Sequence, residues 1–117
     1  MARISTHVLD TARGLPARGM AVSLHQLRGD ERLAVASAVT NADGRTDAPL
    51  LAGDTIVTGI YELTFHAGPY LVQANATLTS PPFLGDIVIR FGVADATASY
   101  HVPLLLSPYG YSTYRGS

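Results

Sequence analysis

The chain has 117 residues, 47% of them hydrophobic and 15% charged, with a formal net charge of -1. That length suits one domain spanning residues 1–117, and so balanced a charge argues against nucleic acid or an anionic membrane as partner. Cysteine and lysine are both absent, which excludes disulfides, thiolate chemistry, Schiff bases and a phosphate loop of the Lys-containing kind.

Along the chain, apolar residues recur with period two between Gly, Pro, Asp and Asn, the pattern of strands joined by turns. Residues 3–10, RISTHVLD, alternate: Ile4, Thr6 and Val8 take one face, and Ser5, His7 and Leu9 the other. Nothing around this segment has the apolar core of a signal peptide, and no stretch is apolar enough to span a bilayer, so a cytoplasmic location is expected. Residues 11–19 read as a turn-rich loop. Residues 20–27 form a second strand with Met20, Val22 and Leu24 on one side, and 32–39 its hairpin partner. NADGR (41–45) carries Asp-Gly, a tight-turn signal.

Residues 46–54 read as a loop with at most one short strand. The next strand, 59–67, turns Tyr61, Leu63 and Phe65 inward. About two turns of helix are expected over 68–76, with Pro69 at the first position. A Pro-rich connection (79–85) leads to a strand at 86–93 with Ile87, Ile89, Phe91 and Val93 on one face. The segments 99–107 and 109–115 complete seven to eight strands, one short helix and no internal repeat. That is an all-β antiparallel sandwich.

In SYHVPLLLS (99–107) the face of Tyr100, Val102, Leu104 and Leu106 is apolar, yet Pro103 and Leu105 share the other with His101. A second apolar face implies cover from another subunit, hence a homo-oligomer. The four histidines, His7, His25, His66 and His101, show no HxH or HxxxH spacing, so no metal is expected. His25 and His66 read as ordinary surface or partly buried side chains. His7 and His101 both lie opposite the more apolar side of their strands. On neighbouring strands they would share one crevice as an acid–base pair; the bland reading is two unconnected interface histidines. Arg45 reads either as a solvated arginine or as a fixed cationic fork. Tyr111 and Tyr114 lead into Arg115, Gly116 and Ser117, a terminus expected to belong to a site and not to fray.

The segments ISTHVLDTARGLPARGMAVSL, NADGRT and YHVPLLLSPYGYSTYRGS resemble the transthyretin-related 5-hydroxyisourate hydrolases, in collinear order over nearly the whole chain. YRGS is their most discriminating mark, whereas HVLD is shared with transthyretin itself. The stretch 77–91 is less typical of that family. The resemblance implies a prealbumin-like sandwich of two four-stranded sheets, a homotetramer built as a dimer of dimers, and sites in the channel between dimers. It also implies hydrolysis of 5-hydroxyisourate to 2-oxo-4-hydroxy-4-carboxy-5-ureidoimidazoline in urate catabolism, without cofactor or metal. Carried over residue by residue, the catalytic set is His7, Arg45 and His101, and the substrate-binding set is Tyr114, Arg115, Gly116 and Ser117.

The chemistry suits those side chains. Opening a cyclic ureide with water needs a base, stabilisation for an oxyanion and an acid for the departing nitrogen. Two histidines and an arginine cover these roles, without fixing which histidine is the base. The rival reading is a transthyretin-like carrier holding a small hydrophobic ligand in the channel without chemistry. An adhesion sandwich is the third, and it leaves the paired histidines unexplained.

Overall fold

Alternating apolar residues become strands because one face of each meets a shared core. In the computed structural model, which describes residues 2–117, the chain opens with β1 (Arg3–Ser5), β2 (Val8–Asp10) and β3 (Leu15–Pro16). The hairpin β4 (Ala21–Arg28) and β5 (Glu31–Val39) follows, then β6 (Leu51–Ala52), β7 (Gly59–His66) and the helix α1 (Ala67–Gln73). Next come β8 (Asp86–Val93), β9 (Ser99–His101), β10 (Leu104–Ser107) and β11 (Gly110–Thr113).

One sheet has the antiparallel order β5-β4-β7-β8. The facing layer consists of two ladders, β6-β1-β9 and β11-β10-β2-β3. These run into each other, since β1 and β2 are successive parts of residues 3–10, and β9 and β10 of residues 99–107. The pairing continues across the gap: Val102 N–H donates to Ser5 O and Leu104 N–H to His7 O, both at 2.9 Å. Pro103, between them, has no N–H to give, which interrupts β9–β10. Counted as whole strands, and setting aside the two-residue β3 and β6, the sandwich has seven. The β1–β9 and β2–β10 pairs are parallel, where the sequence pattern predicted antiparallel neighbours throughout.

Between the layers lie Ile4, Val8, Leu104 and Leu106 from one sheet and Val22, Leu24, Leu63 and Phe65 from the other, all buried. Each such side chain contributes about 1.5–3 kcal/mol relative to exposure. The inward set expected for β7 is found, but Glu62 and Thr64 on its outer face are buried too. Arg32 and Arg90 lie over Glu62 at 3.1 and 2.9 Å and hold its carboxyl below the usual range. The helix starts at Ala67, so Pro69 falls third instead of first. It remains in the turn whose N–H groups have no intrahelical acceptor, so proline does no harm there. Tyr70 of α1 donates its hydroxyl proton to Oδ2 of buried Asp10 at 2.8 Å, fixing the helix to β2. Residues 15–16, expected in a loop, pair with Leu9 and Asp10 as the edge strand β3. Among the described residues no helix is long and apolar enough to cross a membrane.

Candidate active site

Parallel pairing of β1 with β9 sets Ser5 opposite His101 on the outward face. Ser5 Oγ is hydrogen-bonded to His101 Nδ1 at 2.9 Å. On the other side of the ring, Gly116 forms an isolated bridge with His101, its N–H donating to His101 O at 2.8 Å. The approach is close. A Cβ at Gly116 would overlap His101 Cδ2 and stand 3.1 Å from Cγ, so only glycine leaves the ring where it is. With Nδ1 taken and the Cδ2 edge packed, Nε2 is the ring nitrogen left for chemistry. Burial pushes the His101 pKa below the ordinary histidine value, and Arg45, His7 and Arg3 push it the same way.

A second element brings His7 and Arg45 together. Gly44 adopts a left-handed φ of 76°, and a Cβ there would run into the carbonyl oxygen of Val8. The turn therefore lies flat against β2: Val8 N–H donates to Gly44 O at 2.8 Å, and His7 and Arg45 form an antiparallel bridge. Asn41 organises the turn, its Oδ1 accepting from the N–H groups of Asp43 and Arg45 at 2.9 and 3.2 Å. His7 Nε2 lies 2.8 Å from the carbonyl oxygen of Asp43. A carbonyl can only accept, so Nε2 carries the proton and Nδ1 is the exchangeable nitrogen of His7.

These elements border a cleft of about 520 Å³ whose walls include Arg3, Ser5, Arg45, Asp47, His101 and Ser117. Of the residues singled out from sequence, Arg45, His101 and Ser117 line this cleft, Gly116 packs beneath His101, and His7 flanks it without lining it. Tyr114 and Arg115 instead line a separate crevice of about 300 Å³ with Ile89, Phe91 and Tyr100. Arg115 Cζ sits 4.4 Å from the centre of the Tyr100 ring. Tyr111 and Tyr114 are 46% and 58% exposed, so the end of this chain is held by the Gly116–His101 bridge and the Arg115–Tyr100 stack, not by buried tyrosines.

His25 and His66 lie on the outer face of the other sheet. His66 bonds Ser23 Oγ and Asp86 at 3.1 and 3.0 Å, and His25 is held below its ordinary pKa by burial and by Arg32. Among the described residues no three His, Asp or Glu side chains converge as metal ligands do. Sequence reading missed Arg3, Ser5 and Asp47. Ser5 was legible as a neighbour of His7 on the outward face, but its partner depends on strand register.

The fold and the cleft together define a transthyretin-like sandwich with polar, titratable groups on its outward face. The chain belongs to the HIUase/Transthyretin family, which it matches over residues 4–116. It is 56% identical over 115 residues to 5-hydroxyisourate hydrolase 2 of Rhizobium meliloti (strain 1021), covering 98% of this chain and 96% of that one. Among solved structures it superposes on an (S)-allantoin synthase with a TM-score of 0.94 and 42% identity, covering 99% of this chain but only 44% of that longer one. Sea bream transthyretin in complex with thyroxine matches with a TM-score of 0.88 at 26% identity, over 98% of this chain and 95% of that one.

Proposed function

We propose that this protein hydrolyses 5-hydroxyisourate to 2-oxo-4-hydroxy-4-carboxy-5-ureidoimidazoline, with His7, Arg45 and His101 as the catalytic groups. The observation that carries the reading is the meeting of His101 and Arg45 at one polar cleft, with His7 bridged to Arg45 alongside. Kept neutral by burial and by its cationic neighbours, His101 takes a proton from water at Nε2. The water oxygen bonds to a ring carbonyl carbon, and the Arg45 guanidinium stabilises the oxyanion that forms. The ring C–N bond then breaks. His7, its Nε2–H anchored on the Asp43 carbonyl, delivers a proton from Nδ1 to the departing nitrogen. Ser117, at the cleft wall, hydrogen-bonds the substrate.

We further propose a cytoplasmic homotetramer, a dimer of dimers, in which the partner subunit covers the outward face of β9–β10 and closes the cleft against water. The exposure of Tyr111 and Tyr114 supports it, since large side chains at a sheet edge are what an interface would cover. In that assembly Tyr114 and Arg115 serve the substrate-binding end of the chain. The carrier reading has against it a cleft walled by Arg3, Arg45, Asp47 and His101, poorly suited to a hydrophobic ligand. The test is a coupled ultraviolet assay in which urate oxidase generates 5-hydroxyisourate and its decay is followed. Purified protein is expected to accelerate the decay, and His101→Ala to lose about 100- to 10,000-fold. Decay unaffected by folded protein, or a His101→Ala variant of near-normal turnover, would overturn the reading.

A further inference from the structure

A histidine base in this cleft needs its lone pair on Nε2, and imidazole by itself does not guarantee that. One neutral ring can carry its proton on either nitrogen, and the protonation site is set by the partner of the other nitrogen. His101 Nδ1 has a partner in Ser5 Oγ at 2.9 Å, a hydroxyl able to accept from Nδ1–H or to donate to a bare Nδ1. The contact comes from backbone register. Ser5 and His101 are directly paired on parallel strands, and Ser5 O accepts from Val102 N–H at 2.9 Å, so the serine cannot drift from the ring without breaking the ladder. Gly116 closes the opposite edge.

We infer that Ser5 is a positioning residue of this site, accepting a hydrogen bond from His101 Nδ1–H and so leaving the Nε2 lone pair directed at the cleft. The inference rests on the proposed hydrolase chemistry for its functional meaning, while the tautomer itself can be observed directly. The arrangement has a second consequence. After Nε2 takes its proton, Nδ1–H keeps the same acceptor, so the ring cycles between its two states without reorienting. His7 is held the other way round: its Nε2–H is fixed on the Asp43 carbonyl and its Nδ1 exchanges the proton. The two imidazoles thus work through opposite nitrogens, each anchored by the one it does not use.

The experiment combines steady-state kinetics on 5-hydroxyisourate generated in the cuvette with nitrogen NMR of histidine-labelled protein. Wild type, Ser5→Ala and Ser5→Thr are compared, and His101→Gln identifies the His101 signals. Ser5→Ala is expected to lower kcat about tenfold, the worth of one orienting hydrogen bond, with KM within about twofold because the Ser5 hydroxyl, though at the cleft wall, is engaged with His101 Nδ1. Ser5→Thr, which keeps the hydroxyl, should recover most of the loss. In the spectra, His101 of the wild type should carry its proton on Nδ1, and Ser5→Ala should move population to the Nε2–H form. A wild-type ring protonated on Nε2, a Ser5→Ala kcat unchanged, or a Ser5→Thr variant as slow as Ser5→Ala would each overturn the inference. Should Ser5→Ala fail to fold, the wild-type spectrum and the Ser5→Thr kinetics still decide. If wild type shows the Nδ1–H form but does not hydrolyse 5-hydroxyisourate, the hydrolase reading fails while the Ser5 contact stands.

Discussion

The substitution Gly116→Ala adds one methyl group at the point where the end of the chain meets His101. Gly116 has no left-handed φ, so the backbone can accept alanine and the whole effect falls on the neighbour. The new Cβ would overlap His101 Cδ2 and stand 3.1 Å from Cγ and 3.2 Å from Cβ of the same residue. Carbon atoms settle at about 3.5–4.0 Å, so the ring or the terminal segment must move by roughly 1 Å. Movement of the ring stretches a 2.9 Å bond to Ser5 Oγ past the limit of a hydrogen bond, and Nε2 swings away from the cleft. A displacement of that size in a catalytic group costs about 100-fold in rate. Movement of the terminal segment instead breaks the Gly116 N–H bond to His101 O and carries Ser117 out of the cleft. Both routes lower kcat, and neither reaches the core between the sheets. The expected result in the coupled assay is a kcat reduced by about 100-fold, with the thermal unfolding midpoint within a few degrees of wild type. A variant retaining more than a third of wild-type kcat would show that the close approach of Gly116 to His101 has no part in catalysis.

Three other outcomes are expected. Arg45→Gln removes the strongest charge opposing protonation of His101, so its pKa should rise toward the ordinary histidine value. A base must be neutral, so the acid limb of the kcat/KM profile should move to higher pH, apart from any loss of rate; a limb that stays in place or moves to lower pH contradicts the base assignment. A short peptide fused after Ser117 should depress activity far more than the same peptide at the amino terminus, and equal activities of the two fusions would remove Ser117 from the site. Sedimentation equilibrium at micromolar concentration should give a tetramer, and a monomer there would refute the covered face of β9–β10.

Much of the fold was legible because one physical rule, alternation across a buried face, acts over short windows. Ile4, Thr6 and Val8, or Ile87 and Val93, disclose their inward side without any knowledge of the partner strand. What alternation cannot disclose is which strands meet. Both strands of the β1–β9 pair read the same whether parallel or antiparallel, and β3 was hidden because a two-residue strand containing proline has no period to detect. Glu62 was hidden for another reason. Its burial depends on Arg90, paired with it on the adjacent β8, and on Arg32 of β5 reaching over β4, and nothing at position 62 announces those partners.

The candidate site divides along the same line. His7 and His101 could be singled out because residue type and strand face mark them, whereas Arg45, directly after the Asp43-Gly44 turn, read equally as a solvated arginine until the family resemblance marked it. The groups that orient them are generic: a serine at Ser5, a backbone carbonyl at Asp43, and the missing side chain of Gly116. Each becomes informative only through a distance, 2.9 Å to Nδ1 of one histidine and 2.8 Å to Nε2 of the other. Strand register alone sets the first. The second needs a left-handed glycine at Gly44 packed against the Val8 carbonyl, which carries the turn far enough under β2 for the Asp43 oxygen to reach His7. Residue types at this site therefore mark the candidate groups, whereas strand register at His101 and the Gly44 turn at His7 decide which ring nitrogen of each is already engaged.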